Sequence, residues 1–407
     1  MVRKLSRRAF GLIVAASMAV LPALVQPVAT AAAGAGTLFA LGPTTIAKVD
    51  PATGAVTTFA TLALPSGFPG PSLVGLASDA AGHRLFVSET TFSPDFSTVT
   101  YQLVTVDTQT AAVTTSPGMA QGITALVYDP ASGSVIGQAN MCCPFQLVRV
   151  DPSTGVQTHL ADMPGVQPLG LVEAPAKHAI YFATETFVLG QFQPVITLVT
   201  VDTVTGAVTQ SPPMNTGVFA LVYDSVSGTL FGKTFCCQSS LVKIDPASGA
   251  ETVVAPGLTF GFGMTIDSAT HTVFMTDDEI GPFGISQFIE SINDQTGAIT
   301  LSTNPLPADM FVGSMAFEGI AITPDSIRAD VQSALATGAI SNAGVANSLL
   351  AELSQAQAAR SRGQCATAGT MYHAFINEVT AQSGKAIAAA TATQLAGEAQ
   401  LLIASCP

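Results

Sequence analysis

One phrase recurs along this chain and limits what it can become: VDPATGAVT from Val49, VDTQTAAVT from Val106, VDPSTGVQT from Val150, VDTVTGAVT from Val201, IDPASGAET from Ile244 and INDQTGAIT from Ile292. The copies begin about 43 to 57 residues apart, and a period of ~40–50 residues marks a repeated supersecondary unit such as a propeller blade. Two apolar β-formers lead into Asp-Pro-x-Thr-Gly. There Asp bonds back to the following amides, Pro presets the turn, and Gly supplies the positive φ that closes a short hairpin. A fainter phrase lies between the copies: GLASDAAGHRLFV from Gly75, ALVYDPASGSVIG from Ala125, GLVEAPAKHAIYF from Gly170, ALVYDSVSGTLFG from Ala220 and GMTIDSATHTVFM from Gly263. It too reads as strand, turn, strand, so each unit holds four short antiparallel strands.

The ends of the array predict how a ring would shut. Thr37 to Phe59 supply only three strands, and the missing innermost strand follows the last full unit as SMAFEGIAI, Ser314 to Ile322. Pairing these stretches would complete a blade and remove open sheet edges. The expectation is an all-β six-bladed β-propeller over residues 37–322, its ring closed by N- and C-terminal strands. A longer rhythm overlies it. Blade two (TYQLVTVDTQTAAVTTSPGM) matches blade four (TLVTVDTVTGAVTQSPPM) better than its neighbours, and blades three and five share a Cys-Cys pair. This gives a two-blade period of about 95 residues and a pseudo-threefold ring in which blades two, four and six carry the longer middle loops.

Residues 1–33 read as an export signal: Arg3, Lys4, Arg7 and Arg8 precede an apolar run from Ala9 to Leu24, and small residues follow at Ala29 to Ala33. Ser6-Arg7-Arg8-Ala9-Phe10 resembles the twin-arginine signature; an ordinary Sec signal is the alternative. The apolar run is shorter than the ~20 residues of a spanning helix, and Pro22 and Pro27 interrupt it. A secreted or periplasmic protein, free of the membrane after signal removal, is therefore expected. Four of the 14 basic residues and none of the 27 acidic ones precede Gly34, so the remainder is formally −17. Such a surface repels nucleic acid and anionic lipid.

From Pro324-Asp325 the alternation gives way to helical spacing: Ile327, Val331 and Leu335; Val345, Leu349, Leu350 and Leu353; Tyr372, Phe375, Ile376 and Val379; Leu395, Ala399, Leu402 and Ile403. Breaks at Gly338, Gly363 and Gly384 predict four short helices over residues 325–407. The run from Asn347 to Ile387, NSLLAELSQAQAARSRGQCATAGTMYHAFINEVTAQSGKAI, resembles the FIMAH domain, a small helical module at the C-terminus of many secreted bacterial proteins. That resemblance implies an exported, modular protein and carries over no catalytic residue.

The six cysteines are Cys142, Cys143, Cys236, Cys237, Cys365 and Cys406, and an even number in an exported chain points to disulfides. Cys365 opens the third helix and Cys406 closes the fourth, a pair that antiparallel packing would bring together. The two vicinal pairs sit at matching points of blades three and five, which are not neighbours. A vicinal disulfide within each pair, reduced thiols, or a soft-metal site drawing on Met119, Met141 and Met214 all remain open.

Consecutive hairpins alternate ends, so the Asp turns share one face, while the middle loops and the blade-to-blade loops share the other. On that loop face the second strands of the even blades end in acids: Glu89, Glu185, and Asp277, Asp278 and Glu279. Glu89, Glu185, Asp277 and Asp278 are the candidate ligand-binding residues, and Glu89, Glu185 and Asp277 are the candidate ligands of a divalent cation such as calcium. His83, His178 and His271 occupy positions where blades three and five carry Gly133 and Gly228, which points to a left-handed turn position.

There is no Gly-x-Ser-x-Gly elbow, His-Glu-x-x-His, phosphate-binding loop or Asp-x-Asp-x-Asp-Gly calcium loop. The absence of tryptophan argues against quinone-cofactor propellers and sugar platforms. Two functions remain. The first is a non-catalytic, monomeric exported protein that binds a protein or small molecule through its loop face. The second is a metal-dependent hydrolase or lyase resembling lactonase-like propellers, with funnel carboxylates holding the ion.

Overall fold

The computed structural model describes residues 36–62, 72–93, 95–139, 145–164, 168–186, 194–234, 239–281, 284–308, 310, 312–319 and 323–404. The export signal expected over residues 1–33, both vicinal cysteine pairs and Cys406 lie outside the described residues.

The chain opens with β1 (Thr37–Leu41), β2 (Thr45–Val49) and β3 (Val56–Thr61). Blade two is β4 (Ser72–Asp79), β5 (Arg84–Phe92), β6 (Val99–Asp107) and β7 (Val113–Thr115). Blade three is β8 (Ile123–Asp129), β9 (Ser134–Ala139), β10 (Gln146–Val150) and β11 (Gln157–Asp162). Blade four is β12 (Pro168–Ala174), β13 (Ala179–Thr186), β14 (Val195–Asp202) and β15 (Val208–Pro213). Blade five is β16 (Val218–Asp224), β17 (Thr229–Thr234), β18 (Ser239–Ile244) and β19 (Glu251–Leu258). Blade six is β20 (Met264–Asp267), β21 (Thr272–Gly281), β22 (Gly284–Asn293) and β23 (Ile299–Leu301). Last comes β24 (Ser314–Glu318), which pairs antiparallel with β1 from Thr37↔Glu318 to Leu41↔Ser314 and completes blade one as β24-β1-β2-β3.

The first strands close a circle, because β24, β4, β8, β12, β16 and β20 each pack against the first strands of both neighbouring blades. The sheets pack face to face, so apolar clusters form at the seams. Phe39, Ile46, Leu85 and Val104 fill the seam of blades one and two. Leu38, Ala47, Phe274 and Ile289 fill the seam that joins blade six back to blade one.

The Asp turns follow one hydrogen-bond scheme. Asp50 Oδ1 accepts from the amides of Ala52 at 2.9 Å and Thr53 at 3.3 Å, and Asp202 Oδ1 accepts from Val204 at 2.9 Å and Thr205 at 2.7 Å. Five copies place Gly at the closing position with φ between 68° and 73°; the copy in blade two places Ala111 there with φ 60°. At Gly206 there is a second demand, since a Cβ would collide with the Leu160 carbonyl of blade three.

The two-blade rhythm is visible in strand length. The middle strands run 9 and 9 residues in blade two, 8 and 8 in blade four, and 10 and 10 in blade six. In blade three they run 6 and 5, and in blade five 6 and 6. A serine hydroxyl repeats with it: Ser116, Ser211 and Ser302 accept from the amides of Leu103, Leu198 and Ile289 at 3.0 to 3.1 Å. His83, His178 and His271 adopt φ of 52°, 49° and 55°, the left-handed turn conformation expected of them.

Beyond the ring lie α1 (Pro324–Thr337), α2 (Ala343–Arg360), α3 (Cys365–Gln382) and α4 (Ala389–Ala404). Thr323 and Ser326 form a capping box on α1, and Asn342 caps α2. Ile327, Leu349, Leu353, Tyr372, Phe375, Val379, Leu395 and Leu402 form their shared core. The bundle rests on the ring: Gly397 of α4 lies so close to blade six that a Cβ there would stand 3.4 Å from the Ala269 carbonyl oxygen. No helix of the described residues is long and apolar enough to cross a membrane.

The turn geometry predicts opposite effects for two substitutions. Ala111→Gly should stabilise the ring by roughly 0.5–1 kcal/mol by relieving left-handed strain. Gly206→Ala should destabilise it by about 2 kcal/mol or more, through strain plus the collision with Leu160. Urea unfolding midpoints of both variants read this directly, and shifts of the same sign would refute the account.

Candidate functional site

The acids expected at the ring mouth separate into two situations. Glu89 on β5 is buried and accepts from the Thr91 hydroxyl at 3.2 Å. Glu185 on β13 is half-buried, and Glu279 is exposed. All stand on second strands, one strand outside the circle of first strands, on separate blades. Among the described residues, Glu89, Glu185 and Asp277 do not form a group with donor atoms within 4.8 Å of one another. Asp277 and Asp278 are both buried on β21 and belong to a larger charged cluster at the seam of blades five and six.

Lys233 of β17 is at its centre. Its side chain is 1% exposed, and burial pushes its ammonium below the usual lysine value while Glu290, Asp277 and Asp278 pull it back up. Among the described residues its one hydrogen bond is donated to the Gly261 carbonyl at 3.4 Å. An ammonium has three donors, so it retains capacity for an acceptor.

The surrounding acids are held by separate partners. Asp277 accepts from the Thr259 hydroxyl, and Asp278 accepts from Gln287 Nε2 at 2.9 Å. Gln287 is itself fixed, its Oε1 taking the Val312 amide at 2.8 Å. Desolvation raises both aspartates. Glu290 on β22 has an unpaired buried Oε2; burial, then repulsion from Asp277, raises it to about 7 against the pull of Lys233.

Above this cluster lie aromatic rings. Phe260 and Phe262, on the connection from blade five to blade six, are 50% and 48% exposed. Their centroids are 4.7 Å apart, edge to face, and Phe260 lies 6.3 Å from Phe219 of β16. Lys233 Nζ stands 5.8 Å from the Phe219 ring centroid. Gly261 makes this possible, because any Cβ there would collide with the Thr276 carbonyl. Exposed apolar rings over a buried charged floor can take a ligand that presents both apolar surface and an acceptor.

Among the described residues, one trio of potential metal ligands has its donor atoms within 4.8 Å of one another: Asp224, His271 and Asp294. It sits on the opposite, Asp-turn face. His271 Nδ1 lies 3.0 Å from Asp224 Oδ2 and 3.6 Å from Asp294 Oδ1. The hydrogen bond to Asp224, and then the nearby Asp294 carboxylate, raise the imidazole to about 10. Met119 and Met214, considered for a soft-metal site, are buried in different seams.

Comparison with known proteins decides the helical part. Residues 324–404 match the FIMAH domain. The FIMAH domain thus comprises all four helices docked on the ring. No curated protein matches the chain. Among solved structures, a chain of a nidogen/laminin complex is similar with a TM-score of 0.52 and 14% identity, over 70% of this chain and 98% of that one. TolB from Acinetobacter baumannii is similar with a TM-score of 0.50 and 13% identity, over 70% of this chain and 66% of that one. At such identity these likenesses establish the propeller fold.

Sequence reasoning missed Lys233, Glu290, Phe260 and Phe262. Repeat alignment carried a signal for one of them: β17 has Lys233 where β9 has Gln138 and β5 has Ser88.

The folded value of Glu290 lies above its ordinary 4.5, so the folded protein holds a proton that the unfolded chain releases. Its stabilising contribution is full below pH 4.5 and is lost as pH rises through about 7. Glu290→Gln should match the wild type in unfolding free energy at pH 4 and exceed it by about 1–3 kcal/mol at pH 8. Equal pH profiles would show that Glu290 ionises normally.

Proposed function

We propose that the chain is an exported, non-catalytic binding protein whose ring, over residues 37–322, takes its ligand on the loop face, with residues 325–407 as an accessory module. Residues 1–33 are read as the export signal, which makes the protein secreted or periplasmic. The observation that carries the reading is the pair of half-exposed rings, Phe260 and Phe262, set over the buried Lys233 cluster. Aromatic rings, Phe among them, are enriched at protein interfaces relative to the rest of the surface. The similarity to a chain from a protein–protein complex, nidogen with laminin, is in keeping with a protein partner.

The alternative, a metal-dependent lactonase-like hydrolase, is weaker on physical grounds. Lys233 lies where it interacts electrostatically with Asp277 and Asp278, and an ammonium there opposes entry of a divalent ion.

Partner capture from the producing organism's secreted fraction tests the proposal, comparing the wild type with a Phe260→Ser/Phe262→Ser double variant. A partner held by the wild type and lost at least tenfold by the double variant is expected, while equal capture by both would remove the site from the loop face. Turnover of lactones that stops on chelation would establish the hydrolase instead.

A further inference from the structure

The even blades repeat one arrangement on the Asp-turn face, and only one of its three copies is loaded with ligands. In each, the histidine carbonyl accepts the amide of the residue after the turn aspartate or asparagine: Thr108 to His83 at 2.9 Å, Thr203 to His178 at 2.7 Å, and Asp294 to His271 at 2.9 Å. In the first copy His83 Nδ1 meets Glu318 Oε1 at 3.3 Å, and the third position is a threonine hydroxyl that donates to the same oxygen at 2.7 Å. In the second, Asp129 is held by Arg149 at 2.7 Å, and the third position is again threonine. Only beside blade six does a carboxylate, Asp294, replace threonine.

That substitution puts two buried carboxylates, Asp224 and Asp294, around one imidazole nitrogen. Nδ1 carries at most one hydrogen, so it can satisfy Asp224 or Asp294 but not both. Asp294 Oδ2 is buried without a partner. Each carboxylate is also oriented from behind, Asp224 Oδ1 by the Val226 amide at 2.9 Å and Asp294 Oδ1 by Gln295 Nε2 at 2.9 Å, as outer partners orient metal ligands. Ligands ~2.1 Å from a tetrahedral zinc stand about 3.4 Å apart, and the separations from Nδ1, 3.0 and 3.6 Å, bracket that spacing. One nitrogen and two carboxylate oxygens suit a borderline transition metal rather than calcium, which takes six to eight oxygens.

We infer that Asp224, His271 and Asp294 form a zinc-class divalent metal site at the seam of blades five and six. Of the trio, His271 alone lines the cleft of about 510 Å³ between ring and FIMAH domain, together with Gln295, Thr380, Thr393 and Gln400.

The repeat supplies the test variants. Asp294→Thr installs the residue present at positions 108 and 203, and His271→Gly installs the residue that blades three and five carry at positions 133 and 228; circular dichroism melts confirm that each variant is folded. The chelator-stripped purified protein is titrated with Zn²⁺ alone by calorimetry, and Co²⁺ is then substituted to read its absorption. The expected result is one ion per chain, at least tenfold weaker in both folded variants, with a cobalt spectrum free of thiolate charge-transfer. No stoichiometric binding, binding that survives either substitution, or a thiolate spectrum would overturn the assignment, leaving His271 as a protonated partner of two aspartates.

Discussion

Everything in the ring depends on β24 reaching back to pair with β1. A blade with two apolar faces cannot stand alone in water, since each face needs another sheet about 10 Å away. In a row of six, the outer faces of the first and last would remain wet. Curving the row until blade six meets blade one buries both, and Leu38 and Ala47 pack on Phe274 and Ile289 at that last seam. Using Ser314–Glu318 as the inner strand of blade one lets the chain that leaves blade six hydrogen-bond to β1, so main-chain pairing shuts the ring. The left-handed Asp turns then allow neighbouring blades to approach as closely as Gly206 approaches Leu160.

On this scaffold the two-blade period sets up three equivalent positions, and the chemistry lies where equivalence fails. Blade five has a lysine where blade three has a glutamine. Blade six has an aspartate where blades two and four have threonine. Both exceptions fall at one seam, so its loop-face end carries Lys233, Glu290 and the phenylalanines, while its other end carries the Asp224–His271–Asp294 trio under the FIMAH domain. Charged groups inside such a seam cost desolvation energy, and at the seam of blades five and six both ends carry them.

Much of this was legible in advance. The turn phrases predict blade number, the missing strand at Thr37 and its replacement at Ser314 predict the closure, and glycine at positions 133 and 228 identifies the turn role of the histidines. These features repeat, and repetition makes a local signal strong. The expected carboxylate ring was not legible in the same way. Glu89, Glu185 and Asp277 share a sequence position on three blades, but equivalence alone does not say how far each stands from the axis, and they are not gathered within 4.8 Å of one another. Lys233 and Glu290 share no position, yet each feels the other's charge because they lie on facing strands of adjacent blades.

The sequence by itself determined the unit, its count, the way the array ends and the helical module that follows, because hairpin turns and hydrophobic periods are set by residues close together in the chain. Only the tertiary structure decided which side chains face each other across a seam, which of three equivalent histidines gains a second carboxylate, and where the FIMAH domain rests. Those contacts join residues tens of positions apart, and their distances follow from sheet stacking rather than from any local preference.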